Sequence, residues 1–241
     1  MNDIPSEHPV GWDALFQAGV FPPRYKTNSP PNESVVAWAD TLPPSSTVLD
    51  VGCGVGRHVV YLGGRGFAMS GSDVSPNGVR TTQQVCAERH IPFDGRVADM
   101  TALPWEDNTF DALLSTSTIC HHRIDNILKT LAEMWRVLKP GGLLLVDFLH
   151  KATQSYQNVR QQVADGTLSE IEPNTFIDDR PNPDMLDDAF LPHHYTDESD
   201  VWALSQQFER INLYADLAPA PEGELPKRGY WVAWARKPMT D

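Results

Sequence analysis

The run Thr47-Val48-Leu49-Asp50-Val51 followed directly by Gly52-Cys53-Gly54-Val55-Gly56 constrains the fold more than any other stretch of the chain. A short β-branched and apolar run that ends in glycines and opens into a helical period is a strand–turn–helix unit. Repeats of such units are the signature of parallel strands joined by crossover helices. The repeats follow: a helix over about 57–63, a strand over 67–73, and a helix with Pro76 in its first turn, where the missing N–H has no intrahelical partner to lose. Arg96-Val97-Ala98 reads as a third strand and residues 110–115 as a fourth. Ile124, Ile127, Leu128, Leu131, Trp135 and Leu138 keep the spacing of one apolar helix face, which Pro140-Gly141-Gly142 is expected to end. Leu143-Leu144-Leu145-Val146 is then a central strand buried on both faces.

Residues 149–195 break the rhythm with acidic, proline-rich sequence and read as an insertion. Thr196 is placed to cap a helix whose first turn carries Asp197, Glu198 and Asp200 and whose inner face carries Val201, Leu204, Ser205 and Phe208. Residues 211–215 and 230–235 are two last strands. Their connection holds three prolines and no helical period, so a hairpin and an antiparallel last strand are expected. The division is therefore an N-terminal cap over 1–44, a core over 45–148 and 196–237, and a lid-like insertion over 149–195.

Length and composition are consistent with this. The chain has 241 residues, 41% hydrophobic and 21% charged, which suits one α/β domain with insertions and excludes disorder or coiled coil. A net charge of −13 opposes a nucleic-acid partner, which needs a basic field to displace counterions. The N-terminus lacks a basic start with an apolar core, and no run of ~18 apolar residues occurs, so neither secretion nor membrane spanning is expected. Cys53, Cys86 and Cys120 are odd in number and lack metal-type spacing, which suits a reducing cytoplasm.

The glycine turn presents backbone N–H groups at the carboxyl edge of the sheet, where ligands bind in such folds. Only Val55 separates Gly54 from Gly56, whereas the dinucleotide fingerprint has two residues between its second and third glycines, so NAD is disfavoured. Asp73 ends the second strand, 19 residues after Gly54, where a carboxylate either accepts both hydroxyls of a ribose or caps the next helix. Ser75 is the better cap, which leaves Asp73 to the ribose.

These motifs resemble the class I S-adenosylmethionine-dependent methyltransferases, especially their small-molecule branch. Residues 48–56 resemble the family's first motif and Asp73-Val74-Ser75 its second acidic site. Ala98-Asp99-Met100 with Leu103-Pro104-Trp105 and Asn108-Thr109-Phe110-Asp111 resembles the segment that leads into the fourth strand. Residues 136–142 resemble the turn into the fifth. The resemblance implies a Rossmann-like, mostly parallel seven-stranded sheet with helices on both faces and an antiparallel last strand. It implies S-adenosyl-L-methionine as cofactor, with S-adenosyl-L-homocysteine as product, held by Gly52, Cys53, Gly54 and Gly56 along the methionine part and by Asp50 at its ammonium. Asp73 would hold the ribose and Asp99 and Met100 the adenine, with Val74 and Ser115 as further cofactor-binding candidates. Asp99 has a second reading as a solvated turn carboxylate.

Methyl transfer from a sulfonium needs alignment above all, and a base only if the nucleophile carries a proton. His121 and His122 follow the fourth strand on the same edge and are the candidate catalytic pair, with packing or capping as their other reading. Ser115-Thr116-Ser117-Thr118 stands where amino-group methylases of nucleic acids carry an Asn-Pro-Pro-Tyr type motif, which agrees with a small-molecule acceptor. Trp12 and Tyr25 from the N-terminal segment, and His194 and Tyr195 from the insertion, are candidates to line its pocket. The insertion's Asp178, Asp179, Asp184, Asp187 and Asp188 have no fixed ligand spacing with its histidines, so no metal is expected. A noncatalytic S-adenosylmethionine sensor and an NAD(P)-dependent oxidoreductase are the competing functions. The second also lacks a Tyr-x-x-x-Lys pair.

Overall fold

A computed structural model describes residues 9–18, 26–178 and 191–239. Tyr25 and four of the insertion's carboxylates, Asp179, Asp184, Asp187 and Asp188, lie outside the described residues. Two helices come first, α1 (Pro9–Ala18) and α2 (Glu33–Ala39). The alternating unit follows as β1 (Thr47–Val51), α3 (Arg57–Gly64), β2 (Ala68–Asp73), α4 (Pro76–Glu88), β3 (Phe93–Val97) and β4 (Phe110–Ser115). A 3₁₀ turn (Ile119–His121) leads to α5 (Ile124–Val137) and β5 (Leu138–His150). The insertion holds α6 (Gln154–Ala164), β6 (Ser169–Glu172) and β7 (Thr175–Ile177), then β8 (His193–Thr196), and the chain ends with α7 (Glu198–Leu204), β9 (Glu209–Leu217) and β10 (Gly229–Arg236).

Ten strands are hydrogen-bonded into one sheet; seven of them follow the order β3-β2-β1-β4-β5-β10-β9, in which β10 alone runs antiparallel to both neighbours, and β8, β7 and β6 branch from β5. Side chains alternate between the two faces. Leu49, Val51, Leu113, Leu144 and Val146 pack with Ile127, Leu131 and Met134 of α5 and with Val201 and Leu204 of α7. Val48, Ala112, Leu114 and Leu145 pack with Val35 and Trp38 of α2 and with Val59 and Leu62 of α3. The strands at the centre are therefore apolar on both faces, as burial between helix layers requires.

Several local expectations differ from what forms. Leu128 and Trp135 are 43% and 37% exposed, and Thr130 and Met134 take the inner face of α5 in their place. At ~100° per residue both lie at the border of the stripe centred on Ile127, Leu131 and Met134. Trp135 is covered instead by Lys237, whose Nζ sits 3.8 Å from its ring centroid. The helix ends at Val137, and residues 140–142 lie inside β5, which continues far beyond 143–146. The cap of α7 is Asp197, in a reciprocal capping box with Asp200. Thr196 closes β8, its hydroxyl donating to Leu149 O at 3.0 Å.

The added strands matter for what lies above the sheet. Leu149 pairs with Tyr230 of β10 on one edge and with Tyr195 of β8 on the other, so β8 occupies the edge of β5 that β4 leaves open beyond Ser115. The end of the insertion is thereby set beside the loop that follows β4.

Candidate active site

The carboxyl edge of β1 turns through Gly52, whose φ of +78° only glycine adopts at little cost. A side chain there would also meet Thr118 Cγ2 at 2.2 Å. The N–H groups of Gly52 and Cys53 donate to Ser72 O at 2.8 and 2.9 Å, which ties the turn to the end of β2. Gly56 stands apart from the cleft: it precedes α3, and a Cβ on it would lie 2.6 Å from Thr82 Cγ2, so its role is the close packing of α3 on α4.

One cleft over this edge is lined by Asp50, Gly52, Cys53, Gly54, Asp73, Val74, Asp99, Met100, His121, His122 and Trp12, all predicted site residues. Asp73 is buried and is not left free by Ser75. Its Oδ2 accepts from Gly54 N at 2.8 Å and its Oδ1 from Ser75 N at 2.9 Å, while Ser75 caps α4 through Gly78 N at 3.0 Å. The carboxylate thus clamps the glycine turn to the β2–α4 loop, and each oxygen keeps a further lone pair for a ligand hydroxyl. Burial pushes Asp73 up to about 6 against the pull of those amides. Asp50, deep in the cleft, is pushed up by burial to about 7, with Arg57 opposing the shift. Asp99 is exposed at the lip. Its Oδ1 accepts from Thr101 N and Oγ1, both at 2.8 Å, so it closes a turn with one oxygen and faces the cleft as well.

Four predicted positions are not brought to the cleft among the described residues: Gly56, Ser115, His194 and Tyr195. Ser115 is fully buried and donates to Val51 O at 2.9 Å, joining β4 to β1. Ser115→Ala is accordingly expected to cost about 1 kcal/mol of stability, read by urea unfolding, and to leave cofactor affinity unchanged. A loss of affinity with stability intact would return Ser115 to the site. His194 is buried with Nδ1 2.7 Å from Thr175 Oγ1, and burial holds it below the usual histidine range. Tyr195 packs against Tyr156 and Phe176 at 5.2 and 5.9 Å between centroids. Strand alternation turns His194 to the opposite side from His193, and it is His193 whose ring meets His121 edge-on at 4.6 Å.

Several further residues line the cleft. Thr116, Ser117 and Thr118 replace Ser115 as the wall after β4, and Ser117 is held in the left-handed region (φ +52°) by its N–H donating to buried Asp147 at 2.6 Å. His58 accepts from Asn32 N through Nε2 at 3.3 Å, and burial pushes its pKa far down. Its proton therefore sits on Nδ1, 3.3 Å from Thr116 Oγ1. Leu15 and Phe16 of α1 and Leu191 complete the cover. A position one residue past a predicted helix start was the available signal for His58. Leu191 and His193 depended on where β8 docks. Among the described residues no group of three or more His, Cys, Asp or Glu is placed to hold a metal, and no helix is long and apolar enough to cross a membrane.

A family model described as a methyltransferase domain matches residues 49–146. The chain is 36% identical over 108 residues to the 2-methyl-6-phytyl-1,4-hydroquinone methyltransferase of Synechocystis, covering 44% of this chain and 33% of that protein. It is 32% identical over 142 residues to a mouse tRNA (carboxymethyluridine(34)-5-O)-methyltransferase, covering 58% of this chain and 20% of that one. The chain thus spans a third or less of these two relatives. The solved structure of a methyltransferase from Methanosarcina mazei shares the fold at 19% identity and a TM-score of 0.69, over 85% of this chain and 98% of that one. Motif order, sheet topology and the domain match agree: residues 49–146 match a methyltransferase domain, and the described residues share the fold of that solved methyltransferase.

Proposed function

We propose that this chain transfers a methyl group from S-adenosylmethionine to a small-molecule acceptor, leaving S-adenosylhomocysteine. The observation that carries the reading is a single cleft in which the glycine turn, Asp50, Asp73 and Asp99 face His121 and His122 under Trp12 and Phe16. The residues fit the cofactor: the space at Gly52 is kept open for backbone approach, and the row of carboxylates complements a ligand bearing cationic and hydroxyl groups. When bound, it supplies a methyl group on a positively charged sulfur that departs neutral.

In this proposal Gly52, Cys53 and Gly54 seat the amino-acid part, with Asp50 at its ammonium and Asp73 at the ribose hydroxyls. Asp99 and Met100 take the adenine. His121, buried and held edge-on between Trp12 and His193 at 5.1 and 4.6 Å, orients the acceptor and takes its proton where the nucleophile carries one. Residues 1–44 and 149–195 act as the two-part lid that excludes water over the core. The net charge of −13 favours a metabolite over tRNA, and three buried cysteines outside any disulfide favour a reducing compartment. No metal takes part.

Transfer of labelled methyl to a metabolite extract, beside parallel reactions with tRNA and with chelator present, tests this directly. Label is expected in the small-molecule fraction, unaffected by chelator and reduced ~10²-fold or more by His121→Ala. Label in tRNA alone would overturn the acceptor class, and cofactor binding with no transfer to any fraction would leave a sensor.

A further inference from the structure

Helix α1 is attached to the rest of the chain at two places that belong to different halves of the cleft. On one side Asp13 reaches the start of α4. Its Oδ1 accepts from Ser75 Oγ at 2.6 Å and Asn77 N at 2.8 Å, and its Oδ2 accepts from Asn77 Nδ2 at 2.7 Å. These three bonds hold its carboxyl below the usual range. Ser75 is the same residue whose N–H donates to Asp73, so Asp13 lies one residue away from the proposed ribose carboxylate without entering the cleft. On the other side Trp12 meets His121 edge-on at 5.1 Å. Phe16, one turn on, stacks with Trp12 at 6.0 Å and lies over the glycine turn, 3.2 Å from where a Cβ of Gly54 or of Gly78 would stand.

Hydrophobic contact alone does not explain this seating. A ten-residue helix is too short to be stable by itself in water, and its register on the core needs a directional contact. Asp13 supplies three, one to Ser75 in the loop that Asp73 already fixes and two to Asn77 in the first turn of α4. The adjacent residue then points ~100° away, at the acceptor wall.

We propose that Asp13 is a positioning residue for methyl transfer: it latches α1 to the β2–α4 loop, so that one helix couples the cofactor half of the cleft to the His121 wall. This rests on the proposed function for the identity of the ligand, but the latch itself is a property of the empty chain. Opening it frees Trp12 and Phe16 together, which uncovers the glycine turn and removes one flank of His121 in the same motion. Cofactor and acceptor should then both bind more weakly, while the groups beside the reacting atoms stay in place.

The bond between Asp13 Oδ2 and Asn77 Nδ2 allows a test by exchange. Asp13→Asn keeps an acceptor for Ser75 Oγ and Asn77 N and re-pairs with the Asn77 amide by rotation, Asn77→Asp sets two carboxylates against each other, and the double variant restores one donor and one acceptor in reversed order. Asp13→Ala and Asn77→Asp are expected to speed proteolytic cleavage within residues 9–26 of the ligand-free chain, and Asp13→Asn to stay close to the parent. The first two should weaken S-adenosylhomocysteine binding about tenfold in calorimetry and raise the acceptor KM with less than about a threefold change in kcat. The double variant is expected to return to within about threefold of the parent on every measure. Parent-like cleavage and affinity in Asp13→Ala, or a double variant no better than Asn77→Asp, would overturn the latch. Should Asp13→Ala fail to fold, the exchange series alone decides. A parent chain that binds no S-adenosylhomocysteine would overturn the proposed function instead, while the cleavage series would still report on the latch.

Discussion

Replacing Gly52 by alanine is expected to weaken S-adenosylhomocysteine binding at least ~100-fold and to lower stability by about 2–3 kcal/mol, through two separate penalties. The first is backbone strain, since an L side chain at φ +78° costs about 1–2 kcal/mol. The second is a collision. The new Cβ would lie 2.2 Å from Thr118 Cγ2 and 2.9 Å from Thr118 Cβ, and a β-branched side chain cannot rotate out of the way of a contact at its own Cβ. The loop after β4 must therefore move, and with it the wall built by Thr116, Ser117 and Thr118. Gly66 is the internal control: its φ is +90°, yet nothing lies within 4 Å of its missing Cβ. Gly66→Ala should show the strain alone, about 1 kcal/mol in chemical unfolding, with unchanged affinity. Equal affinities for the two variants would mean that the glycine turn is not where the cofactor lies.

Asp73→Ala is expected to lose both binding and stability, because the carboxylate is a structural clamp as well as the proposed ribose ligand. From sequence Asp73 was left to the ribose, with Ser75 as the cap. The geometry changes that expectation: alanine strands the N–H groups of Gly54 and Ser75, and each bond to a buried carboxylate is worth about 1.5–3 kcal/mol. Asp73→Asn keeps one carbonyl oxygen and should fall between. The pH dependence carries an independent signature. Burial raises Asp73 to about 6, and Asp50 and Asp147 to about 7, so between about pH 4 and 7 the folded chain holds protons that the unfolded chain has released. Their contribution to stability is thus fully present below about pH 4 and is lost as pH rises through 6 and 7. A cationic ligand at Asp50 favours the ionised form, so cofactor affinity should rise over the same interval. Affinity that is flat from pH 5 to 8 would remove Asp50 from the ammonium.

The parts of the fold that were legible from residues share one cause: short-range pattern decides them. The bounds of β1 and β4, the inner face of α7 and the reversal at β10 follow from apolar alternation, helical spacing and a connection with no helical period. The residues along the glycine-turn side of the cleft were legible because glycines and acidic strand ends mark them locally. What escaped was set by docking at long range. Nothing near His193 states that β8 will take the free edge of β5 and turn His193, rather than His194, towards His121. Nothing near Asp13 states that it will meet Ser75 and Asn77, 62 and 64 positions away. Ser115 was misplaced by a single residue of strand parity: its hydroxyl faces Val51, and the cleft wall begins at Thr116.

Isothermal titration of the whole chain with S-adenosylhomocysteine, and separately with NAD, is the most direct test of the cleft. One equivalent of S-adenosylhomocysteine per chain is expected, with binding lost in Gly52→Ala, retained in Gly66→Ala and absent for NAD. Saturable NAD binding that Gly52→Ala removes, with no heat from S-adenosylhomocysteine, would contradict it.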